Sequence, residues 1–132
     1  MGVQIDGRGR ELIEAPNLGF VGSLLDDGTP AVNPAWVDLD GNALLLNSNT
    51  GRTWPRRLER NPRVSVTVAN RENVVEYVEV RGHLVDTTTD GANEHIRQLS
   101  QKYTGSPEYP LQPGEQRVIL RIEPDSVHHH EG

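Results

Sequence analysis

The feature that most constrains the fold is a series of short apolar runs with strand periodicity, separated by tight-turn sequences. Val64, Val66 and Val68 alternate with small or polar residues, as in a strand that buries one face. Asp27-Gly28 and the run 40–42 are turn sequences of the kind that join antiparallel strands. Six strands are predicted in all, over residues 18–25, 31–39, 43–47, 64–69, 74–85 and 117–122.

Three short helices are predicted between these strands. The first covers residues 10–17 and is stopped by Pro16. The second begins at Thr53 as N-cap, has Pro55 in its first turn and ends at Asn61-Pro62, while the third covers residues 90–103. Six strands with short helices at the edges predict a mainly β fold, an antiparallel barrel that is closed or nearly closed.

Length and composition limit the class of protein. A chain of 132 residues fits a single domain, residues 1–132, and no cysteine is present for disulfides or thiolate metal sites. The net charge of −6 argues against nucleic acid as a partner. No apolar run approaches the roughly 18 residues that cross a bilayer, and the first residues do not resemble a signal peptide. We therefore expect a cytoplasmic protein without nucleic-acid or membrane partners.

A basic segment breaks this acidic average. Residues 51–63 hold one acid, Glu59, and five arginines: Arg52, Arg56, Arg57, Arg60 and Arg63. The segment follows a polar run of Asn47, Ser48, Asn49 and Thr50 and opens a predicted helix, whose first N–H groups and positive dipole end favour an anion. A phosphate site is one interpretation. A capped surface helix with solvated arginines explains the composition equally well.

The order of these parts resembles the flavin- and deazaflavin-binding split β-barrel family, which includes pyridoxamine 5′-phosphate oxidase-like proteins and F420-dependent oxidoreductases. The resemblance lies in GFVGSLLDDGTPAVNPAWVDLDG, NSNTGRTWPRRLERNPRVSVTVA, VEVRGHLV and RVILRIEP, which together span most of the chain. It implies a six-stranded antiparallel split barrel of Greek-key type. It also implies a homodimer that binds coenzyme F420 or, alternatively, FMN.

The resemblance further implies which residues hold the cofactor phosphate. Arg52, Arg56 and Arg57 would contact it, and Ser48, Asn49 and Thr53, with Asn47 beside them, would support the grip. Many family members carry a lysine where this chain has Trp54. Trp54 is expected either to cover the phosphate tail or to pack with Leu58 as a core anchor.

The cofactor's flat ring would rest on the second strand. There Asn33 would bond its pyrimidine end, beside Pro34 and Trp36, although core packing is an equal alternative for Trp36. Tyr77 would reach across a dimer to the neighbour's cofactor or serve as an interface aromatic.

The implied activity is hydride transfer between the cofactor and a small electron-poor organic substrate, with no charged catalytic residue required. F420 is preferred because of the likeness to short family members. A non-catalytic carrier or sensor of flavin, deazaflavin or haem, and a dimeric scaffold, remain alternatives. Isolated His83 and His95 are expected to be structural or exposed, and residues 128–130 to be a solvated terminal run rather than a metal site.

Overall fold

A computed structural model of the protein describes residues 3–132. The helices are α1 (Gly7–Glu14), α2 (Thr53–Arg60) and α3 (Ala92–Thr104). The strands, all in one antiparallel sheet, are β1 (Gly19–Leu24), β2 (Pro30–Ala35), β3 (Val37–Asp40), β4 (Ala43–Asn49), β5 (Arg63–Asn70), β6 (Asn73–Thr88) and β7 (Arg117–His130). In the described part of the chain, no helix has both the length and the apolarity to cross a bilayer.

The sheet closes on itself at Trp36. Its strand order is β2-β1-β5-β6-β7-β4-β3, so β2 and β3 form its two opposite edges. These edges are nevertheless consecutive in sequence and are joined by Trp36 alone, which forces the sheet to curl into a barrel with a gap between them. Gly19 permits this approach, because a Cβ at that position would overlap the side chain of Val37.

The sequence predicts six strands, and this count is wrong by one. The predicted strand over residues 31–39 is two strands that break at Trp36. The backbone N–H of Val37 donates to the hydroxyl of Tyr103, and its carbonyl accepts from the ammonium of Lys102. Both backbone groups of Val37 are therefore bonded to side chains of α3. Because they are not available to a neighbouring strand, the pairing of β2 with β1 ends at Ala35 and does not extend into β3.

The core confirms the periodicity read from the sequence. Val64, Val66 and Val68 of β5 are buried, and Trp54 and Leu58 anchor α2 against the barrel. All three predicted helices are present, with α1 three residues earlier than expected. Thr53 is not the N-cap of α2 as predicted; Arg52 holds that position and makes no side-chain capping bond.

The end of the chain is part of the sheet. Residues 128–130 were expected to be a solvated terminal run; they pair with residues 77–79 of β6 and so belong to a strand, although His128 and His130 are exposed as expected. His129 donates to the Glu76 carboxylate at 2.8 Å, and Arg8 of α1 grips the same carboxylate through two nitrogens at 2.9 and 2.8 Å. This cluster fastens α1 and the end of β7 to β6.

Candidate functional site

A cleft opens where β4 continues beyond the end of β3. Val37 pairs with Leu46, but residues 47–49 of β4 pair with β7 alone, so the other edge of β4 is open there. The cleft has a volume of about 300 Å³. Its lining residues are Leu18, Pro34, Ala35, Trp36, Asn47, Ser48, Arg52, Trp54, Ile96, Tyr109 and Arg117.

The cleft brings together half of the residues that the sequence predicts for cofactor binding. These are Pro34, Trp36, Asn47, Ser48, Arg52 and Trp54. The other half, Asn33, Asn49, Thr53, Arg56, Arg57 and Tyr77, do not line it. A larger cavity of about 390 Å³ lies at β1, β5 and β6, but no predicted cofactor residue lines it. The smaller cleft is therefore the candidate site.

One wall of the cleft is aromatic. The Trp36 ring stacks on Tyr103 at a centroid distance of 5.3 Å, and Tyr109 meets its edge at 6.1 Å. The Tyr103 hydroxyl is itself fixed, since it donates to the Asn17 carbonyl at 2.8 Å, and burial raises the pKa of Tyr103 to about 12. Trp36 thus packs on α3 and also lines the cleft, and its contact with a cofactor ring stays a prediction.

Ser48 provides a hydroxyl without a partner. The residue is 2% exposed, and its Oγ makes no hydrogen bond within residues 3–132. A buried hydroxyl is normally paired, because leaving it unpaired costs free energy. An unpaired Oγ on the wall of a cleft therefore suits a hydrogen bond to a bound molecule.

Beneath the cleft, a chain of buried polar groups links α3, β3, β4 and β7. Asn47 is its centre: its Oδ1 accepts from Arg117 Nε at 2.9 Å, and its Nδ2 faces His95 Nδ1 at 3.0 Å and the Ala92 carbonyl at 3.0 Å. Because Arg117 can only donate, the Asn47 amide has one orientation, and His95 Nδ1 must accept. On its other side, His95 Nε2–H donates to Asp38 Oδ2, 3.0 Å away.

The charges at the two ends of this chain are stabilised. Burial raises the pKa of Asp38, but hydrogen bonds from His95 and the Leu39 backbone outweigh it and leave the pKa below its ordinary value. At the other end, Arg117 Nη1 donates to Glu115 at 2.7 Å and lowers the pKa of that carboxyl. Asn47, although predicted to meet a ligand, therefore has its amide committed to holding Arg117 and His95.

The start of α2 forms the basic rim of the cleft. Arg52 is exposed and directly precedes the helix, whose first N–H groups have no carbonyl partner within the helix. Trp54 is buried in the core and also lines the cleft, so the core-anchor role is present. Arg56 is outside and donates to the Thr50 carbonyl, while Arg57 donates to Ser23 Oγ at 3.2 Å.

The remaining predicted residues do not line the cleft. Asn33 Nδ2 donates to the Pro34 carbonyl, and its buried Oδ1 has no partner among residues 3–132. Asn49 Oδ1 accepts from the Gly51 N–H, and Thr53 is exposed. Tyr77, near the start of β6, stacks on His130 of β7.

The histidines agree with their expected structural or exposed roles. His83 is a surface residue 3.0 Å from Asp125, and His95 is buried in the polar chain. Within the described residues, no group of three or more histidine, cysteine or carboxylate side chains could hold a metal ion.

Sequence reasoning missed five of the residues that line the cleft: the apolar Leu18, Ala35 and Ile96, and two that can contact a ligand more specifically, Arg117 and Tyr109. Arg117 begins an alternating strand and resembles any charged strand residue, and Tyr109 lies in a proline-rich loop. The arginine is only 4% exposed, and its guanidinium lies over the Tyr109 ring at 5.2 Å. No local signal in the sequence distinguishes either residue.

Comparisons with known proteins agree on one family. The pyridoxamine 5′-phosphate oxidase family model matches residues 5–131. A solved F420 reductase is 30% identical, with a TM-score of 0.84 over 93% of this chain and 98% of its own. The barrel described above is therefore the split-barrel fold of this family, with seven strands.

More distant solved structures share the fold alone. General Stress Protein 26 from Bacillus anthracis is 18% identical, with a TM-score of 0.68 over 92% of this chain and 89% of its own. The conserved hypothetical protein Rv2991 from Mycobacterium tuberculosis is 17% identical, with a TM-score of 0.70 over 97% and 86%. No curated protein matches the sequence.

Proposed function

Since this chain belongs to the pyridoxamine 5′-phosphate oxidase family, we propose that it is an oxidoreductase that binds coenzyme F420 in the cleft beside Trp36. FMN is the alternative cofactor. The likeness to an F420 reductase at 30% identity favours the deazaflavin. The observation that carries the proposal is the unpaired Oγ of Ser48, buried on the wall of a cleft that also holds Trp36 and Arg52.

The residues of the cleft fit a planar ring with a phosphorylated tail. Trp36 and Tyr109 provide aromatic surface for a ring, and Ser48 Oγ provides a hydrogen bond. Arg52 and the first N–H groups of α2 provide a phosphate site at the rim. Trp54 occupies the position of the family's lysine and packs in the core, so the phosphate grip relies on arginine and backbone.

The cofactor, when bound, supplies hydride transfer to a small electron-poor organic acceptor such as an enone, quinone or nitro compound. The protein's own contribution is positioning. The polar chain below the cleft holds Arg117 in place, and the stack of Trp36 on Tyr103 fixes the aromatic wall. No charged acid or base is needed for such a step, which agrees with a cleft that no carboxylate among the described residues lines.

Fluorescence titration with F420 and with FMN tests cofactor binding. We expect micromolar affinity for one of them, weakened about tenfold or more by Arg52→Ala, since charge-assisted hydrogen bonds contribute about 1.5–3 kcal/mol. Arg60→Ala is the matched control, because it removes the same charge from the other end of α2, where Arg60 pairs with Asp26. Failure of the wild-type protein to bind either cofactor rejects the proposal.

A non-catalytic carrier is the second candidate, because the groups that the cleft offers, aromatic surface, the Ser48 hydroxyl and Arg52, would serve cofactor binding equally well without turnover. Rapid mixing of the loaded, reduced protein with menadione separates the two. Oxidation of the bound cofactor faster than that of free cofactor supports the enzyme, and unchanged oxidation supports the carrier.

We also propose a homodimer, on the basis of exposed apolar side chains on the sheet. Phe20 and Val32 lie on the same outward face of β1 and β2 and are 42% and 68% exposed. Val74 and Val75 of β6 are exposed as well. Monomers rarely leave several large apolar side chains in contact with water. Light scattering that gives the mass of one chain, 14.7 kDa, would exclude the dimer.

A further inference from the structure

Arg117 differs from every other arginine near the cleft in its burial and its partners. It is 4% exposed, and two of its three guanidinium nitrogens are committed: Nε to Asn47 and Nη1 to Glu115. Arg52, in contrast, is exposed. A guanidinium fixed on two sides loses little conformational entropy when a ligand binds it, so Arg117 is preorganised in a way that Arg52 is not.

The third nitrogen of Arg117, Nη2, is available. It makes none of the hydrogen bonds found among residues 3–132, and it is not one of the buried polar atoms without a partner. It is therefore accessible. Arg117 lines both the cleft and a second cavity at the start of α3, but its guanidinium lies over the ring of Tyr109, which lines the cleft alone, so the cleft is the side on which a ligand would meet it. An arginine nitrogen can only donate, so its partner must be an oxygen or nitrogen with a lone pair.

Tyr109 gives this end of the cleft a shape suited to flat molecules. Its ring lies under the Arg117 guanidinium at 5.2 Å and meets the edge of Trp36 at 6.1 Å. An aromatic side chain beside a donor favours a planar ring that carries an oxygen at its margin. Glu115 offsets the arginine's charge, which makes a neutral carbonyl as acceptable a partner as an anion.

We propose that Arg117 and Tyr109 form a subsite for the carbonyl or deprotonated oxygen of a planar conjugated ring. The inference rests on the proposed function in that such a ring could be the pyrimidinedione of the cofactor or a quinone-like acceptor. It adds two residues that the sequence did not indicate, and it separates recognition of the ring by Arg117 from recognition of the phosphate by Arg52.

The experiment compares probes that carry different parts of the ligand. FMN has ring and phosphate, lumichrome has the same pyrimidinedione ring without a phosphate, and menadione is a quinone without either. Arg117→Met is expected to raise the dissociation constants of FMN and lumichrome by about 10- to 100-fold, the loss of one charge-assisted hydrogen bond. Arg52→Ala is expected to weaken the binding of FMN and to leave the affinity for lumichrome unchanged.

The matched control is Arg121→Met. Arg121 lies four residues along the same strand and pairs with Asp40 on the surface, so its loss changes the charge without altering the cleft. If Arg117→Met does not fold, Arg117→Lys and Tyr109→Leu take its place. Each of these variants leaves the other residue of the subsite intact. Each is expected to raise the dissociation constant of lumichrome several-fold, whereas residues with a merely structural role would leave it unchanged in a folded variant.

The outcomes separate the two proposals. If Arg117→Met binds lumichrome and FMN more weakly than wild type does, the subsite holds the cofactor ring. If it binds menadione more weakly but FMN with unchanged affinity, the subsite holds the acceptor. Equal affinities in Arg117→Met and Arg121→Met for all three probes overturn the inference, even where wild type binds FMN or F420. Wild-type protein that binds lumichrome or menadione but neither FMN nor F420 rejects the proposed function and leaves the subsite supported.

Discussion

Replacing Ser48 with alanine removes a single oxygen atom, and its effects on folding and on binding should have opposite signs. The Oγ is buried on the cleft wall with no partner among residues 3–132. Removing an unpaired buried hydroxyl relieves its desolvation penalty, which is about 1–3 kcal/mol, while the small void left behind costs part of that gain. We expect the free energy of unfolding to stay the same or to rise by about 1 kcal/mol, equivalent to about 3–4 °C in Tm for a chain of this length.

Ligand affinity should fall in the same variant. Loss of a hydrogen bond between neutral groups costs about 0.5–1.5 kcal/mol, a roughly 2- to 10-fold rise in the dissociation constant, and loss of one to a phosphate costs more. The size of the change in FMN or F420 titrations therefore indicates whether Ser48 meets a neutral oxygen or a phosphate oxygen.

Ser100→Ala is the stability control. Ser100 is also 2% exposed, but its Oγ lies 2.8 Å from the Ser106 carbonyl, to which its hydroxyl donates, and 3.1 Å from the Glu108 carbonyl. Its removal leaves partners unsatisfied and should lower the unfolding free energy by about 1–3 kcal/mol. Urea denaturation of both variants decides the matter: a loss in Ser48→Ala as large as that in Ser100→Ala would refute the claim that the Ser48 hydroxyl is unpaired.

Three further predictions concern the framework. Hydrogen bonds from Arg8, Asn70 and His129 hold the pKa of Glu76 far below its ordinary value of 4.5, so its stabilising effect is complete above pH 4.5 and declines as the pH falls further. Urea titrations at several pH values should show the stability gap between wild type and Glu76→Gln narrowing in acid, and a constant gap would contradict this. Asn47→Leu removes the hydrogen-bond partner of the buried Arg117 Nε and His95 Nδ1 and should lower the unfolding free energy by on the order of 3 kcal/mol in the same assay. An unchanged value would contradict the claim that these hydrogen bonds stabilise the fold. Leu58→Ala, at a fully buried anchor of α2, should lower the free energy of unfolding by about 2–5 kcal/mol and should also weaken the binding of FMN or F420. If the destabilised variant still binds the cofactor as tightly as wild type does, α2 is not part of the binding site.

The sequence by itself determined the elements whose signals are local. Alternation at Val64, Val66 and Val68 is a property of adjacent residues, and the strand it predicts is present as β5. Asp27-Gly28 predicted a hairpin turn, and Gly28 has the positive φ of 86° that such a turn requires. The polar run and the arginines around α2 predicted a ligand site at the start of this helix from a few consecutive residues. Ser48 and Arg52 do line the cleft there, and their contact with a ligand stays a prediction.

Only the tertiary structure decided where the sheet breaks and which polar groups meet. The break at Trp36 depends on Lys102 and Tyr103, which lie more than 60 residues away in sequence. Asn47 meets Arg117 across a separation of 70 residues. Such pairings depend on strand order and barrel closure, and those arise from the burial of the whole core, so no short segment of sequence encodes them.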